Sequence, residues 1–368
     1  MAGFPFMRQA EAFRSSLPFI LLLAVFILPC PMSAAAKPRP AIAFVHLLLP
    51  PGGEPHASPA GWIGSLDRAR DTLESLRIPT IVSSASPGNA EDLNELSEMD
   101  PEVLITTSPL LYAAACDVAK RSPNTVFFAC TDETVHDNMS GFQARTYEAH
   151  YLAGLIAGAL SEDGVIGYLA NDPYQSKASR LRNANAFTLG AQKSKAAIRV
   201  LYAPGNDPDE ELKTLIAAGA DIVDLERALP SLVERLREHS VRYVGTAGRT
   251  VDPLCLAAPE WEWSNAFGDL LTQVRFGIWR PRNVSYGIKE GVVGLSPFGT
   301  PVPETVRVRV REAKEAIRNG ASPFEGPVRD VSGSLRIAEG SVPDDATLRG
   351  MDWRVQGLEP LPLTPDGR

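Results

Sequence analysis

The feature of this sequence that most constrains its fold is an alternation of short apolar runs with amphipathic helical patterns, which occurs twice along the chain. The first series has apolar runs of strand length at 41–49, 79–83, 102–106 and 125–129. After a helical pattern at 147–160, the second series has such runs at 164–170, 197–202, 221–225 and 242–245. Apolar strands separated by helices form parallel sheets that are covered on both faces. We therefore predict an α/β protein with two doubly wound lobes, and a single closed (β/α)8 barrel is the main alternative.

The alternation does not continue into the C-terminal part of the chain. The patterns there predict a helix at 264–278, a β-ribbon around 283–297, a helix at 302–319 and a short hairpin near 326–338. Such segments suit a chain that crosses back between two lobes. We assign residues 37–144 and 264–283 to the first lobe, and residues 145–263 and 284–368 to the second.

The N-terminal residues have the pattern of an export signal. Arg8 and Arg14 precede an apolar run at 17–28, which is followed by Pro29 and small residues at 33–36. This pattern predicts a signal peptide at 1–36, cleaved after Ala36, and hence a periplasmic or otherwise exported protein. Two alternatives are a retained membrane anchor and a lipoprotein acylated at Cys30, although Pro29 is unusual directly before an acylated cysteine.

Composition and missing motifs exclude several functions. The chain has 36 Lys and Arg against 44 Asp and Glu, so its net charge of −8 does not favour nucleic acid or an anionic membrane as a partner. The sequence contains no G-x-G-x-x-G, Walker, C-x-x-C, H-E-x-x-H or G-x-S-x-G motif. We therefore predict that the protein is not an enzyme and uses no cofactor or metal. Beyond residue 36, Cys116 and Cys130 are the nearest pair for a disulfide, and together with Cys255 they are alternatively structural thiols.

Two aromatic features mark a candidate binding site. Trp62 follows Gly61 in the predicted loop after the first strand, where an open α/β sheet forms its ligand crevice. Trp261 and Trp263 occur together at the later crossing between lobes. Indole rings at these places either hold a flat heterocycle between them or pack one lobe against a helix, and spacing alone does not decide.

Several segments together resemble one known family. They run in order over nearly the whole chain beyond residue 36, at 147–160 (YEAHYLAGLIAGAL), 164–168, 185–190, 287–299, 302–317, 324–327 and 351–357. In this combination the chain resembles the basic membrane protein (BMP) family of solute-binding proteins of ABC transporters. The resemblance implies a type I periplasmic-binding-protein fold, with two Rossmann-like lobes joined by a hinge of three crossovers. It also implies a monomer that closes on a small molecule, usually a purine nucleoside or nucleobase, and delivers it to the membrane permease of an ABC importer.

The resemblance also indicates ligand-binding positions. Trp62 matches the family's stacking aromatic residue, and Ile63 follows it where Asn is frequent. Trp261 and Trp263 match an aromatic pair, with Glu262 in place of the intervening Asn. The ligand is expected to stack on Trp62 and Trp261, while its edge is read by polar groups at Arg145, Glu148, Asn171 and Asn206.

Other positions depart from the family pattern. Gly205 stands where an aromatic residue is usual, and the sequence Asp224-Leu-Glu-Arg227 replaces a glycine-rich turn. The acidic residue that would contact ribose hydroxyls falls near Ala247 and Gly248, so a nucleobase is favoured over a nucleoside. These departures leave a second hypothesis open, an exported ligand-sensing protein of the same fold that signals to a membrane partner.

Overall fold

The described strands form two six-stranded parallel sheets and two small antiparallel pairs. The computed structural model describes residues 39–48, 61–86, 88–131, 133, 136–173, 175–245 and 252–362, so the predicted signal peptide lies outside the described residues. The strands are β1 (Ile42–Leu47), β2 (Thr80–Ala85), β3 (Val103–Thr106), β4 (Val126–Cys130), β5 (Met139–Ala144), β6 (Val165–Leu169), β7 (Arg199–Ala203), β8 (Ile222–Leu225), β9 (Arg242–Gly245), β10 (Cys255–Ala257), β11 (Pro259–Trp261), β12 (Asn283–Tyr286), β13 (Val293–Leu295), β14 (Val328–Arg329), β15 (Leu335–Ile337) and β16 (Leu358–Pro360).

Helices connect and cover these strands. They are α1 (Gly61–Ser75), α2 (Glu91–Glu98), α3 (Tyr112–Ala119), α4 (Tyr147–Leu160), α5 (Lys177–Ser194), α6 (Pro208–Ala217), α7 (Pro230–Glu238), α8 (Ser264–Arg275), α9 (Glu304–Arg318) and α10 (Asp345–Arg349), with a short 3-10 helix at Pro109–Leu111. Within the described part of the chain, no helix is both long and apolar enough to cross a bilayer.

In both sheets, the first five strands follow the same order, and the sixth strand lies at a different edge in each. The first sheet is β12-β5-β4-β3-β1-β2 and the second is β10-β9-β8-β6-β7-β16, and all neighbouring strands in both are parallel. Each sheet thus has a core of five strands in the doubly wound order 2-1-3-4-5, extended at one edge by a strand from the C-terminal part. The prediction of two doubly wound lobes is confirmed, and the barrel alternative is wrong because the strands form two separate open sheets.

This order gives each sheet a point where the chain reverses its direction of winding. In the first sheet that point lies between β1 and β3, and in the second between β6 and β8. The loops after two such strands leave in opposite directions, so a crevice opens beyond their carboxyl ends. The residues after β1, β3, β6 and β8 therefore occupy the places where a ligand binds in sheets of this kind.

Strand burial explains the apolar runs. All six residues of β1 are buried. Ile42 and Phe44 join one core cluster, while Ala43 and Val45 join another on the opposite face. The cluster that contains Ile42 also contains Tyr168 of β6, so it runs from the first sheet to the second.

The chain passes between the sheets at three crossovers. They follow β5, β10 and β12 and lead to α4, to β11 and α8, and to β13. The predicted β-ribbon at 283–297 is wrong: β12 pairs in parallel with β5 of the first sheet, whereas β13 pairs antiparallel with β11. The two strands lie on either side of a crossover and so cannot pair with each other. The hairpin predicted near 326–338 is present as β14 and β15. The exact limits of the lobes stay a prediction.

Helices α4 and α5 approach each other unusually closely. A Cβ atom added to Gly158 would lie 2.2 Å from the carbonyl oxygen of Ala191, and one added to Gly154 would lie 2.0 Å from that of Phe187. Conversely, a Cβ on Gly190 of α5 would lie 2.1 Å from the carbonyl oxygen of Tyr151. The glycines in the 147–160 and 185–190 segments are therefore required by backbone contact between two helices.

Gly158→Ala is expected to lower the free energy of unfolding by about 1–3 kcal/mol, because the clashing atoms belong to the backbone of α5 and the helices must separate. The matched control is Gly268→Ala in α8, where an added Cβ meets nothing within 4 Å. There the substitution should raise stability by up to about 1 kcal/mol through helix propensity. Urea unfolding of both variants measures the difference, and equal effects would contradict the packing argument.

Candidate functional site

Three residues meet at the crevice of the first sheet. His46 lies near the end of β1, Thr107 directly follows β3, and Trp62 lies in the first turn of α1. The indole Nε1 of Trp62 donates a hydrogen bond to the carbonyl oxygen of Thr107 at 2.8 Å. The prediction that Trp62 lies in a loop is wrong, because α1 already begins at Gly61. The helix therefore holds Trp62 at the carboxyl edge of the sheet. Its neighbour Ile63 is buried in the core.

The three predicted tryptophans form one aromatic cluster. The ring of Trp62 lies 5.9 Å from that of Trp261 at an interplanar angle of 84°, and 5.2 Å from that of Trp263 at 83°. These are edge-to-face contacts, so in this conformation the rings of Trp62 and Trp261 do not form a parallel slot for a flat ligand. Trp261 and Trp263 are buried, whereas Trp62 is half-buried. Of the three, Trp62 is therefore the least buried, and one face of its ring lies towards the nearly parallel ring of Phe142, at 6.4 Å and 14°.

Trp261 and Trp263 also join the crossovers to the first lobe. Trp261 donates a hydrogen bond from Nε1 to Oγ1 of Thr146 at 3.4 Å, which links the crossover after β10 to the one after β5. The ring of Trp263 stacks on Phe267 of α8 at 5.5 Å and 9°. Their burial shows that both residues hold the crossovers in place.

Arg145 and Glu148 lie between the first and third crossovers, and their polar groups bind other parts of the protein. Arg145 Nε donates to Glu148 Oε1 at 2.7 Å, and its Nη1 donates to the carbonyl oxygen of Ser285 at 2.8 Å. Arg145 also forms an ion pair with Glu290. The other carboxylate oxygen of Glu148 accepts a hydrogen bond from the backbone N–H of Ile288 at 2.6 Å. Burial raises the pKa of Glu148 even though Arg145 opposes this shift. The two predicted ligand residues thus tie the crossovers together.

Asn171 connects the two strand ends at the crevice of the second sheet. Its side-chain amide donates to the carbonyl oxygen of Arg227 at 2.9 Å and accepts from the N–H of Arg227 at 2.9 Å. The loops after β6 and β8 are therefore fixed to each other. Asn206, by contrast, is exposed after β7, and its backbone N–H donates to Glu211.

Two buried carboxyl groups lie beside Asn171, and sequence reasoning gave them no binding role. Glu226, directly after β8, accepts hydrogen bonds from Tyr168 Oη at 2.9 Å and from the backbone N–H of Asp172 at 3.3 Å. Glu226 and Asp172 are 6% and 5% exposed. Burial raises the pKa of Glu226 to about 8, with a further contribution from Asp172 and an opposing one from His150. A carboxyl group that keeps its proton near neutral pH both donates and accepts hydrogen bonds.

A buried ion pair lies next to these carboxyl groups. His150 of α4 is 2% exposed, and its Nδ1 lies 3.2 Å from Oδ2 of the fully buried Asp224. Burial disfavours the charged imidazole, but the carboxylate of Asp224 outweighs this and raises the pKa of His150. The sequence did hold a signal for these buried groups. Asp224 lies within an otherwise apolar strand and Glu226 directly after it, and His150 lies within an apolar helix.

The remaining sequence predictions concern the region around Ala247 and Gly248, the three cysteines and metal binding. Ala247 and Gly248 lie outside the described residues. Cys116, Cys130 and Cys255 are free thiols in this structure. Within the described ranges, no group of three or more His, Cys, Asp or Glu side chains is arranged to hold a metal ion.

Comparison with protein families confirms the resemblance seen in the sequence. Residues 66–217 match the model of a family described as ABC transporter substrate-binding protein, PnrA-like. A purine-binding protein of Brucella abortus strain 2308 is 28% identical over 344 residues, which cover 89% of this chain and 95% of that protein. A putative ABC transporter glucose-binding protein of Haloferax volcanii is 28% identical over 307 residues, which cover 77% of this chain and 78% of that protein.

Solved structures share the fold. An ABC transporter solute-binding protein from Conexibacter woesei has a TM-score of 0.60 and 17% identity, covering 76% of this chain and 97% of its own. A transcriptional activator of the comK gene from Bacillus halodurans has a TM-score of 0.64 and 15% identity, covering 76% of this chain and 98% of its own. At these identities the likeness concerns the fold alone, and it confirms the predicted periplasmic-binding-protein architecture.

Glu226→Gln is expected to reduce the dependence of stability on pH. In the folded protein burial raises the pKa of Glu226 to about 8, compared with an ordinary pKa of 4.5. The folded state therefore binds more protons than the unfolded state between these values, and the free energy of unfolding falls as pH rises through that window. Gln does not ionise, so the fall should be smaller by up to about 5 kcal/mol.

Urea unfolding at several pH values between about 4.5 and 8.5 measures this effect. The exposed Glu238 of α7 supplies the control, since Glu238→Gln should leave the pH profile of the wild type unchanged. Parallel profiles for Glu226→Gln and the wild type would show that the buried carboxyl group does not govern this dependence.

Proposed function

We propose that this chain, whose residues 66–217 match the model of the PnrA-like ABC transporter substrate-binding proteins, binds a purine base, a purine nucleoside or a similar flat heterocycle between its lobes. It would deliver this ligand to the membrane permease of an ABC importer. The single observation that carries the proposal is the position of Trp62, a half-buried indole fixed at the crevice of the first sheet. An indole at that place offers a flat ligand a stacking surface with few rotatable bonds to restrict.

The second sheet offers hydrogen-bonding groups at its equivalent crevice. Asp172 and Glu226 lie at the ends of β6 and β8, beside the Asn171 bridge. Carboxyl groups recognise the N–H groups of a heterocycle or the hydroxyl groups of a sugar. The missing acid near Ala247 and Gly248 therefore no longer disfavours a nucleoside, because an adjacent strand end carries carboxyl groups of its own.

The similar proteins support this ligand class without fixing its member. The relative from Brucella abortus is named for purine binding, which agrees with a stacking indole. The relative from Haloferax volcanii is named for glucose, which makes a monosaccharide the second candidate, and the carboxyl groups at the second crevice would suit it. The indole of Trp62 can contact a base and also the apolar face of a sugar ring. Only a base gains full π-stacking from this contact, so Trp62 favours the base.

Ligand binding would favour a closed arrangement of the lobes. A ligand that contacts both crevices binds the closed state better than the open one and so shifts the population towards it. The three crossovers form the hinge, and the network around Arg145 and Glu148 connects two of them. These residues would then influence affinity through the hinge and not through contact with the ligand.

A thermal-shift screen against nucleobases, nucleosides, flavins and monosaccharides tests the proposal. A ligand at about 100 times its Kd adds roughly 2.7 kcal/mol to the free energy of unfolding and raises the melting temperature clearly. We expect shifts with purine bases or purine nucleosides. A shift with monosaccharides only would support the second candidate. Silence across the panel would contradict both and favour a ligand of another class or the sensor hypothesis.

Trp62→Ala is expected to weaken binding of the identified ligand at least about 10-fold, because the stacking face is lost. Isothermal titration calorimetry measures the Kd. The matched control is Trp279→Ala, which removes another half-buried indole, beyond the end of α8 and away from both crevices. It should leave affinity unchanged. Equal losses in the two variants would point to general destabilisation and remove Trp62 from the site.

A further inference from the structure

A buried histidine connects α1 to the strand ends of the first sheet. His46 is 5% exposed, although it lies near the carboxyl end of β1. Its Nδ1 lies 3.2 Å from Oγ1 of Thr107, and its Nε2 lies 3.3 Å from Oδ1 of Asp67 in α1. The imidazole ring thus bridges the residue after β3 and the helix that carries Trp62.

His46 has a partner on each side of its ring. The carboxylate of Asp67 can only accept a hydrogen bond, so Nε2 of His46 donates to it. On the other side, Nδ1 and the hydroxyl group of Thr107 share one hydrogen bond, in which either atom can be the donor. Thr107 Oγ1 also lies 3.1 Å from the carbonyl oxygen of Val45.

The same threonine holds Trp62. The backbone N–H of Thr107 donates to the carbonyl oxygen of Val45 at 3.1 Å, so Thr107 is fixed to β1 through both its main chain and its side chain. Its own carbonyl oxygen accepts the indole N–H of Trp62 at 2.8 Å. A continuous series of hydrogen bonds therefore runs from Asp67 through His46 and Thr107 to Trp62.

We propose that His46 is a positioning residue that holds the indole of Trp62 in its binding orientation. This inference rests on the proposed function, in which Trp62 stacks on the ligand. His46 attaches α1 near Asp67, and Thr107 attaches it at Trp62, so the first two turns of the helix are held at two points. Loss of either contact would give the indole greater freedom, which lowers affinity because that freedom must be lost again on binding.

NMR of the ligand-free protein tests the positioning directly. The chain has five tryptophans, and the indole N–H signal of Trp62 is identified as the one missing from Trp62→Phe. In His46→Gln this signal should move and broaden, because α1 loses its attachment at Asp67, while the other indole signals stay in place. The matched control is His239→Gln, which changes an exposed histidine after α7 and should leave the Trp62 signal unchanged. A Trp62 signal with the same position and width in His46→Gln as in the wild type would overturn the proposal.

A double-mutant cycle on ligand affinity supplies the second arm. Phe at position 62 keeps a stacking ring but has no N–H to donate to Thr107, so in Trp62→Phe the effect of His46 has no route to the ligand. His46→Gln should weaken binding by roughly 10-fold in the wild type and by less than about 2-fold in the Trp62→Phe background. Equal losses in both backgrounds would show that His46 acts in another way.

The two arms separate failure of this inference from failure of the proposed function. If no heterocycle or sugar binds, the proposed function fails, while the NMR comparison still decides whether His46 positions Trp62. If a ligand binds and Trp62→Ala has no effect on its affinity, the NMR comparison again stands alone. Thermal melting of His46→Gln establishes that the variant is folded under the conditions of both measurements.

Discussion

Parallel pairing of the strands is the constraint on which the rest of the structure depends. A strand that returns parallel to its neighbour needs a crossover, and here helices provide it and bury both faces of each sheet. Because all strands within each six-stranded sheet point the same way, all their carboxyl ends lie at one edge of that sheet. The reversal of winding between β1 and β3, and between β6 and β8, then opens one crevice in each sheet. The side chains that define the candidate site are those that follow these four strands.

The hinge uses polar residues that the sequence suggested for ligand recognition. Arg145 and Glu148 are paired at 2.7 Å and bind the backbone at Ser285 and Ile288, so one ion pair joins two chain segments that are far apart in sequence. Removing one partner of such a buried pair leaves a desolvated charge, so the pair fixes how the crossovers lie against each other. The aromatic cluster has a similar division of roles, with Trp261 and Trp263 buried at the crossovers and Trp62 partly open. A partly exposed indole thus lies directly beside two buried ones that connect the lobes.

Much of the architecture could be predicted because it depends on local pattern. The apolar runs predicted as strands 41–49 and 221–225 correspond to β1 and β8, since a strand buried on both faces leaves a continuous apolar signal. The strands β5, β10, β11 and β16 were not predicted. The last three have three residues each, and such short strands are specified by their partners and not by their own residues. Of the predicted site residues, Trp62 lies at a crevice, Asn206 is exposed and Ile63 is in the core, and their contact with a ligand stays a prediction.

The sequence by itself determined the class of fold, the resemblance to a family of solute-binding proteins, and the position of an indole near the first strand, because each of these depends on residues adjacent in the chain. Only the tertiary structure decided which polar groups are already bound within the protein. Asp67, His46 and Thr107 are separated by 21 and 61 positions, and His150 and Asp224 by 74, yet each set is in hydrogen-bond contact. Such contacts form because parallel strands bring distant strand ends to one edge, where burial makes every unpaired polar group costly. That cost, and no local pattern, selects the partner of each buried histidine and carboxyl group.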